Sequence, residues 1–142
     1  MYLSNKYTTW YYRIISNAQS RTIDGYVERH HIVPKSLGDD NSKENLVKLT
    51  AREHFIAHRL LVKMVSGSAK NKMVHALWRM TVAGRPDQKR YYPPSKLYDR
   101  IRRQYSTINS IRHKGKIMPT VSSQMPSPRH SSVAQSPYQA RQ

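Results

Sequence analysis

Four histidines in two short groups constrain this chain more than any other feature of its 142 residues. His30 and His31 are adjacent, whereas His54 and His58 are four residues apart. On a helix, side chains at that spacing lie on one face with Cβ atoms about 6 Å apart, so both rings could bind one ion. Taken alone, a two-histidine metal clip and a pair of solvated surface histidines are equally good interpretations.

The absence of cysteine narrows the possible metal chemistry. Without thiols the chain forms neither disulfides nor thiolate zinc sites. A transition metal would therefore have to be held by imidazole and oxygen ligands. The length predicts one domain, and 37% hydrophobic residues are enough for a small core plus some poorly ordered sequence.

The first half of the chain predicts a helix followed by a hairpin. Apolar residues at three- and four-residue spacing favour a helix over about residues 5–20. Residues 26–33 are rich in β-branched and aromatic types and end at Pro34, which is typical of a short strand. Residues 36–43 have a loop composition, and 45–49 alternate as a second strand would.

The second half predicts three helices and a tail. Thr50 and Glu53 have the spacing of a capping box, so a helix should begin there. A second helix is expected over 69–82, and Ser95 could cap a third that is amphipathic and strongly basic. From about residue 113 to 142 the chain turns to serine, proline and glutamine, which predicts disorder.

A strand end followed closely by a helix could bring the two histidine groups together. A hairpin leading directly into a helix can fold the strand end onto the first helical turns. Neighbours in a strand face opposite ways, so His30 and His31 should have different roles. One could complete a three-histidine site with an open position, while the other takes a proton from water. Asn45 could cap a turn or pin the long loop behind His31.

Glu28 lies on the same predicted strand face as His30. Its carboxylate could orient that ring by a hydrogen bond. A pair with Arg29 or Arg52 is an equally good interpretation.

Two segments together resemble the HNH nuclease family, in the form found among phage-encoded homing-type endonucleases. They are residues 28–38, which begin Glu-Arg-His-His-Ile-Val-Pro, and residues 44–58. The match covers about residues 7–82. It implies an α+β fold in which a small ββα-metal (His-Me finger) hairpin-helix core is flanked by α-helices. Many relatives have a second glycine after Gly38, where this chain has Asp39.

The resemblance also implies roles for the site residues. His30, His54 and His58 would be metal ligands, His31 the general base, and Asn45 the residue that holds the loop orienting the base. The implied activity is metal-dependent cleavage of DNA to 5′-phosphate and 3′-hydroxyl ends. One divalent ion would be bound, with magnesium, manganese, zinc or nickel as candidates.

The charge of the chain predicts a polyphosphate partner. A net charge of +17 is of the sign and size expected for binding DNA. Residues 85–116 contain ten basic and only two acidic residues, and tyrosines are interleaved with them. This composition suits phosphate contacts and base stacking. The residues expected to contact DNA are Lys35, Lys48, Arg90, Arg100 and Arg103.

These patterns predict three parts in the chain. A nuclease domain with its N-terminal helix would occupy residues 1–82, a basic helical DNA-contacting extension 83–112, and a disordered basic tail 113–142. No apolar run suggests a signal peptide or a membrane span. If the protein is phage-encoded, we therefore expect it to be located in the host-cell cytoplasm. DNA is the expected partner, with no membrane and no small-molecule cofactor; protein partners cannot be identified from the sequence.

Two other functions are compatible with the sequence. In the first, a catalytically silent DNA-binding protein uses the three-histidine ion only to hold a small basic domain together. Such a site would have no use for His31. The second is a basic RNA-binding or ribosome-associated protein, which would explain the charge but leave the arrangement of the histidines to chance.

Overall fold

Four α-helices and one two-stranded sheet make up the fold, described here by a computed structural model for residues 2–38, 40–84 and 86–115. The predicted α+β class is confirmed. In chain order the elements are α1 (Lys6–Gln19), β1 (Glu28–His31), a 3₁₀ turn (Lys35–Leu37), β2 (Leu46–Leu49), α2 (Ala51–Met64), α3 (Gly67–Val82) and α4 (Ser95–Lys114).

The hairpin and α2 follow one another with almost no connection. β1 and β2 pair antiparallel, with His30 opposite Val47. Thr50 then caps α2: its hydroxyl accepts from the Glu53 amide, and the Glu53 carboxylate accepts from the Thr50 N–H, so the predicted capping box is confirmed. Because one residue separates β2 from α2, the hairpin is held against the start of this helix.

The core lies where α1, α2 and α3 meet. Its largest fully buried side chains are Tyr11, Phe55, Leu49, Leu61, Met64, Met73, Val65 and Val74. α4 packs on α3 through buried Ile101 and through Tyr105, whose ring stacks on Trp78 with centroids 5.0 Å apart. The core thus fixes α2, which carries His54 and His58, between two other helices.

α4 differs from the predicted helix at both ends. The prediction that Ser95 caps this helix is wrong, because Ser95 is the first helical residue. Pro94 occupies the cap position, with φ −53° and no side-chain hydrogen bond. The predicted disordered tail lies outside the described residues except for 113–115, and α4 extends through Lys114. Among the described residues, no helix is long and apolar enough to cross a membrane.

Removing the cap of α2 should destabilise the fold. We expect Thr50→Ala to lower the free energy of unfolding by about 1 kcal/mol, because the first-turn N–H groups lose an acceptor. Urea denaturation followed by circular dichroism measures this. Thr9→Ala, at an exposed position of α1, is the control and should stay within about 0.5 kcal/mol of the wild type. Equal unfolding curves for both variants would contradict the proposed contribution of the cap.

Candidate metal centre

Three histidines from two elements converge beneath the hairpin. One ring nitrogen from each of His30, His54 and His58 lies within 4.8 Å of the others. Their ring centroids are 5.0 to 5.1 Å apart. His54 and His58 are stacked one turn apart on α2, and β1 places His30 above them. The histidines implied as ligands are therefore brought together in space, as a group that could hold one metal ion.

A buried tyrosine holds the ring of His30. The Tyr11 hydroxyl donates to the Ile32 carbonyl over 2.7 Å and lies 2.9 Å from Nε2 of His30. Because the hydroxyl proton is used on Ile32, Nε2 of His30 must be the donor, which leaves a lone pair on Nδ1. Burial raises the pKa of Tyr11, so the hydroxyl keeps its proton. The sequence suggested only a core role for Tyr11, since its polar group gives no signal in an apolar stripe.

Glu28 holds the ring of His54, not that of His30. Its carboxylate accepts from Nδ1 of His54 over 2.6 Å, so the expectation that it orients His30, or pairs with Arg29 or Arg52, is corrected. It also accepts from the Tyr26 hydroxyl and from Nε2 of Gln88.

The bonds to Glu28 decide its charge. Burial alone raises its pKa, but the hydrogen bonds outweigh this effect and the pKa lies below its ordinary value. The carboxylate is therefore ionised at neutral pH, and donation to it leaves a lone pair on Nε2 of His54.

The three convergent imidazoles are neutral at neutral pH. Burial, reinforced by the charge of neighbouring groups, lowers the pKa of His58 to about 3 and that of His30 well below its ordinary value. Burial also lowers the pKa of His54, although Glu28 opposes this effect.

A neutral imidazole is the form that binds a metal ion. Nδ1 of His58 is buried and has no hydrogen-bond partner among the described residues, so a cation there would satisfy it. The residues therefore fit an ion, and three nitrogen donors favour zinc, nickel or manganese over magnesium.

His31 lies outside this group, as opposite-facing strand neighbours should. It is half-buried, and its Nε2 lies 3.0 Å from Oδ1 of Asn41. Because an amide oxygen only accepts, Nε2 carries the proton and Nδ1 has the lone pair. Asn41 was missed at the sequence level, where residues 36–43 are only a loop by composition.

Asn45 has the contacts of a loop pin. It is 6% exposed, and its amide both accepts from the Val33 N–H over 2.7 Å and donates to the Val33 carbonyl over 2.9 Å. The side-chain amide also donates to the Asp40 carbonyl over 3.2 Å, and the backbone carbonyl of Asn45 accepts from the Ile32 N–H. Asn45 thus joins the chain just after β1 to the far end of the loop. These contacts favour pinning over capping of a local turn.

The residues expected to contact DNA lie on several elements. Lys35 is exposed on the 3₁₀ turn, and Lys48 is exposed on β2. Arg90 is partly buried near His54, whereas Arg100 is exposed on α4. Arg103 is also on α4, but its Nε is 2.8 Å from Asp99, so part of its charge is already neutralised.

Comparison with known proteins gives relatives from one phage. No family model and no solved structure matches the chain. Probable mobile endonuclease E of Enterobacteria phage T4 is 36% identical over 113 residues, which cover 79% of this chain and 75% of that protein. Probable mobile endonuclease D of the same phage is 36% identical over 110 residues, covering 73% of this chain and 42% of that protein. The matched region is therefore most of one relative and less than half of the other.

Loss of one ligand should abolish tight ion binding. Loss of a residue that only supports a ligand typically lowers metal affinity by about 10–100-fold. We expect His58→Ala to lower the affinity for Zn²⁺ or Mn²⁺ by more than this. Isothermal titration calorimetry of the metal-free protein measures this. His113→Ala, which removes an exposed imidazole on α4, is the control and should bind as the wild type does. Unchanged stoichiometry and affinity in His58→Ala would exclude it as a ligand.

Loss of the Glu28 charge should weaken ion binding less severely. We expect Glu28→Gln to lower the affinity by about 10–100-fold, because the amide supports the His54 ring without its negative charge. The same calorimetry measures this, with the exposed Glu44→Gln as a control of equal charge change. If both variants bind alike, Glu28 has no such role.

Proposed function

This chain belongs to the family of the probable mobile endonucleases of phage T4, and we propose that it is a metal-dependent, HNH-type DNA endonuclease. It would hydrolyse phosphodiester bonds to leave 5′-phosphate and 3′-hydroxyl ends. The observation that supports this most is the placement of three neutral imidazoles around one point, with a fourth beside them that has its own hydrogen-bond partner.

The proposed ligands are His30, His54 and His58. When bound, a divalent cation supplies positive charge that stabilises the negative charge developing on the phosphate and on the departing 3′ oxygen. Tyr11 and Glu28 hold two of the rings from behind, so that their lone pairs are kept for the ion. Manganese, zinc and nickel suit these ligands better than magnesium.

His31 is the proposed general base. Its Nδ1 lone pair would take a proton from the attacking water, as positioned imidazoles commonly do. The Nε2–H bond to Asn41 fixes the ring and gives the positive charge of the protonated ring an acceptor. Asn45 would hold the loop that follows His31, so the base keeps its position relative to the ligands.

The basic surface is proposed to hold the DNA. Lys35 and Lys48 border the hairpin, and Arg90 and Arg100 belong to the basic extension proposed for residues 83–112. Arg103 would contribute less because of its bond to Asp99. A phage enzyme of this kind would act on DNA in the host cytoplasm.

Plasmid cleavage tests the proposal. We expect the wild type with Mn²⁺ to relax or linearise supercoiled plasmid, and a chelator to stop it. His31→Ala should cut about 10²–10⁴-fold more slowly, the range for loss of a general base. Gel electrophoresis over time measures the rate, and calorimetry should find ion binding unchanged in this variant. His113→Ala is the control and should cut as the wild type does.

Two outcomes would contradict the proposal. Equal cleavage by His31→Ala would remove this residue as the base. If the wild type leaves plasmid intact, while the ion raises its unfolding temperature and a DNA duplex still binds, the protein is a DNA-binding protein with a structural ion and the proposal is wrong.

A further inference from the structure

A cavity of about 640 Å³ borders the candidate metal centre. It shares Glu28 and His54 with that centre, and its other walls come from β1 and the two residues before it, the end of α3, and the segment between α3 and α4. An occupant would therefore contact residues that also belong to the candidate metal centre. The proposed catalytic machinery does not use this space.

Three arginines from three parts of the chain line the cavity. They are Arg29 on β1, Arg79 on α3, and Arg90 in the segment between the last two helices. None of the three forms an ion pair within the part of the chain that the structure describes. The acidic residues in the wall are Asp87 and Glu28, and the latter is already bonded to three partners. The cavity thus combines unneutralised guanidinium groups with enough space for an anion.

Arg90 connects the cavity with the metal centre. Its Nη1 lies 3.2 Å from the sulfur of Met80, and its buried Nε has no hydrogen-bond partner among the described residues. Arg90 lines the same cavity as His54, one of the proposed ligands. This arginine is therefore close to the candidate metal centre, and its Nε is a donor that no described residue uses.

We infer that this cavity binds a backbone phosphate of the DNA strand, next to the phosphate that is cut, through Arg29, Arg79 and Arg90. This inference rests on the proposed function. Guanidinium groups match phosphate oxygens in a planar, two-point geometry, which lysine cannot provide. Each strand of B-DNA carries a phosphate at every 3.4 Å of the helix axis, so any phosphate at the ion has charged neighbours close by. Binding one of them would set the register of the strand over His31.

The salt dependence of DNA binding tests the inference. Binding of a 20-base-pair duplex is measured by fluorescence anisotropy from 50 to 200 mM salt, with chelator present to prevent cleavage. Each neutralised phosphate contributes about 0.9 to the slope of log affinity against log salt. We expect Arg79→Gln to lower this slope by up to about 0.9, and Arg79→Lys to recover most of it because the charge is retained. Arg79 is exposed, so its substitution should leave the unfolding temperature unchanged.

Arg13→Gln is the matched control. It removes the same charge from an exposed position of α1, which does not line the cavity. If Arg79→Gln and Arg13→Gln give the same slope, the inference is overturned. If inorganic phosphate raises the unfolding temperature of the wild type but not of Arg79→Gln, while the DNA slopes are equal, the cavity binds a free anion and the inference is also overturned.

Plasmid cleavage by the wild type with Mn²⁺ tests the proposed function separately. If the wild type cuts but the two variants have equal slopes, the nuclease function is supported and the phosphate site is excluded. If the wild type never cuts but the slopes differ as expected, the phosphate site is supported and the nuclease function is excluded.

Discussion

The contact between the end of β1 and the first two turns of α2 is the constraint on which the rest of the structure depends. It places His30 above His54 and His58, and it exists because Thr50 alone separates β2 from the helix. Burying three imidazoles in one place costs free energy unless their nitrogens have partners. Hydrogen bonds satisfy some of these nitrogens, and the remaining lone pairs are what an ion would use.

Negative and positive side chains lie in different places around this site. Glu28 is the buried carboxylate beside the ligands, and it is kept ionised by the groups that donate to it. On its far side, Arg90 and two other arginines surround the cavity. A negative residue thus bonds to one proposed ligand, while three positive residues line the neighbouring cavity. Both features would suit the proposed nuclease, which would bind a metal ion and a neighbouring backbone phosphate.

Local sequence signals gave most of the secondary structure. The capping box at Thr50 and the apolar period of α1 act within one or two turns, so they can be recognised without the rest of the chain. The partners of the site residues could not be predicted in the same way. Tyr11 reaches His30 across 19 positions, and Glu28 reaches His54 across 26, distances over which no spacing rule applies. The expectation for Glu28 was wrong because a shared strand face does not determine which ring lies opposite.

The sequence by itself determined the residue types of the candidate ligands, the order of hairpin and helix, and the strong positive charge. Histidine spacing and the absence of cysteine are properties of the chain, and they hold in any conformation. Only the tertiary structure decided which nitrogens are free, that Asn41 bonds to His31, and that three arginines border one cavity. The physical reason is that hydrogen bonding and burial depend on which distant residues meet, and packing of α1, α2 and α3 around the core fixes those meetings.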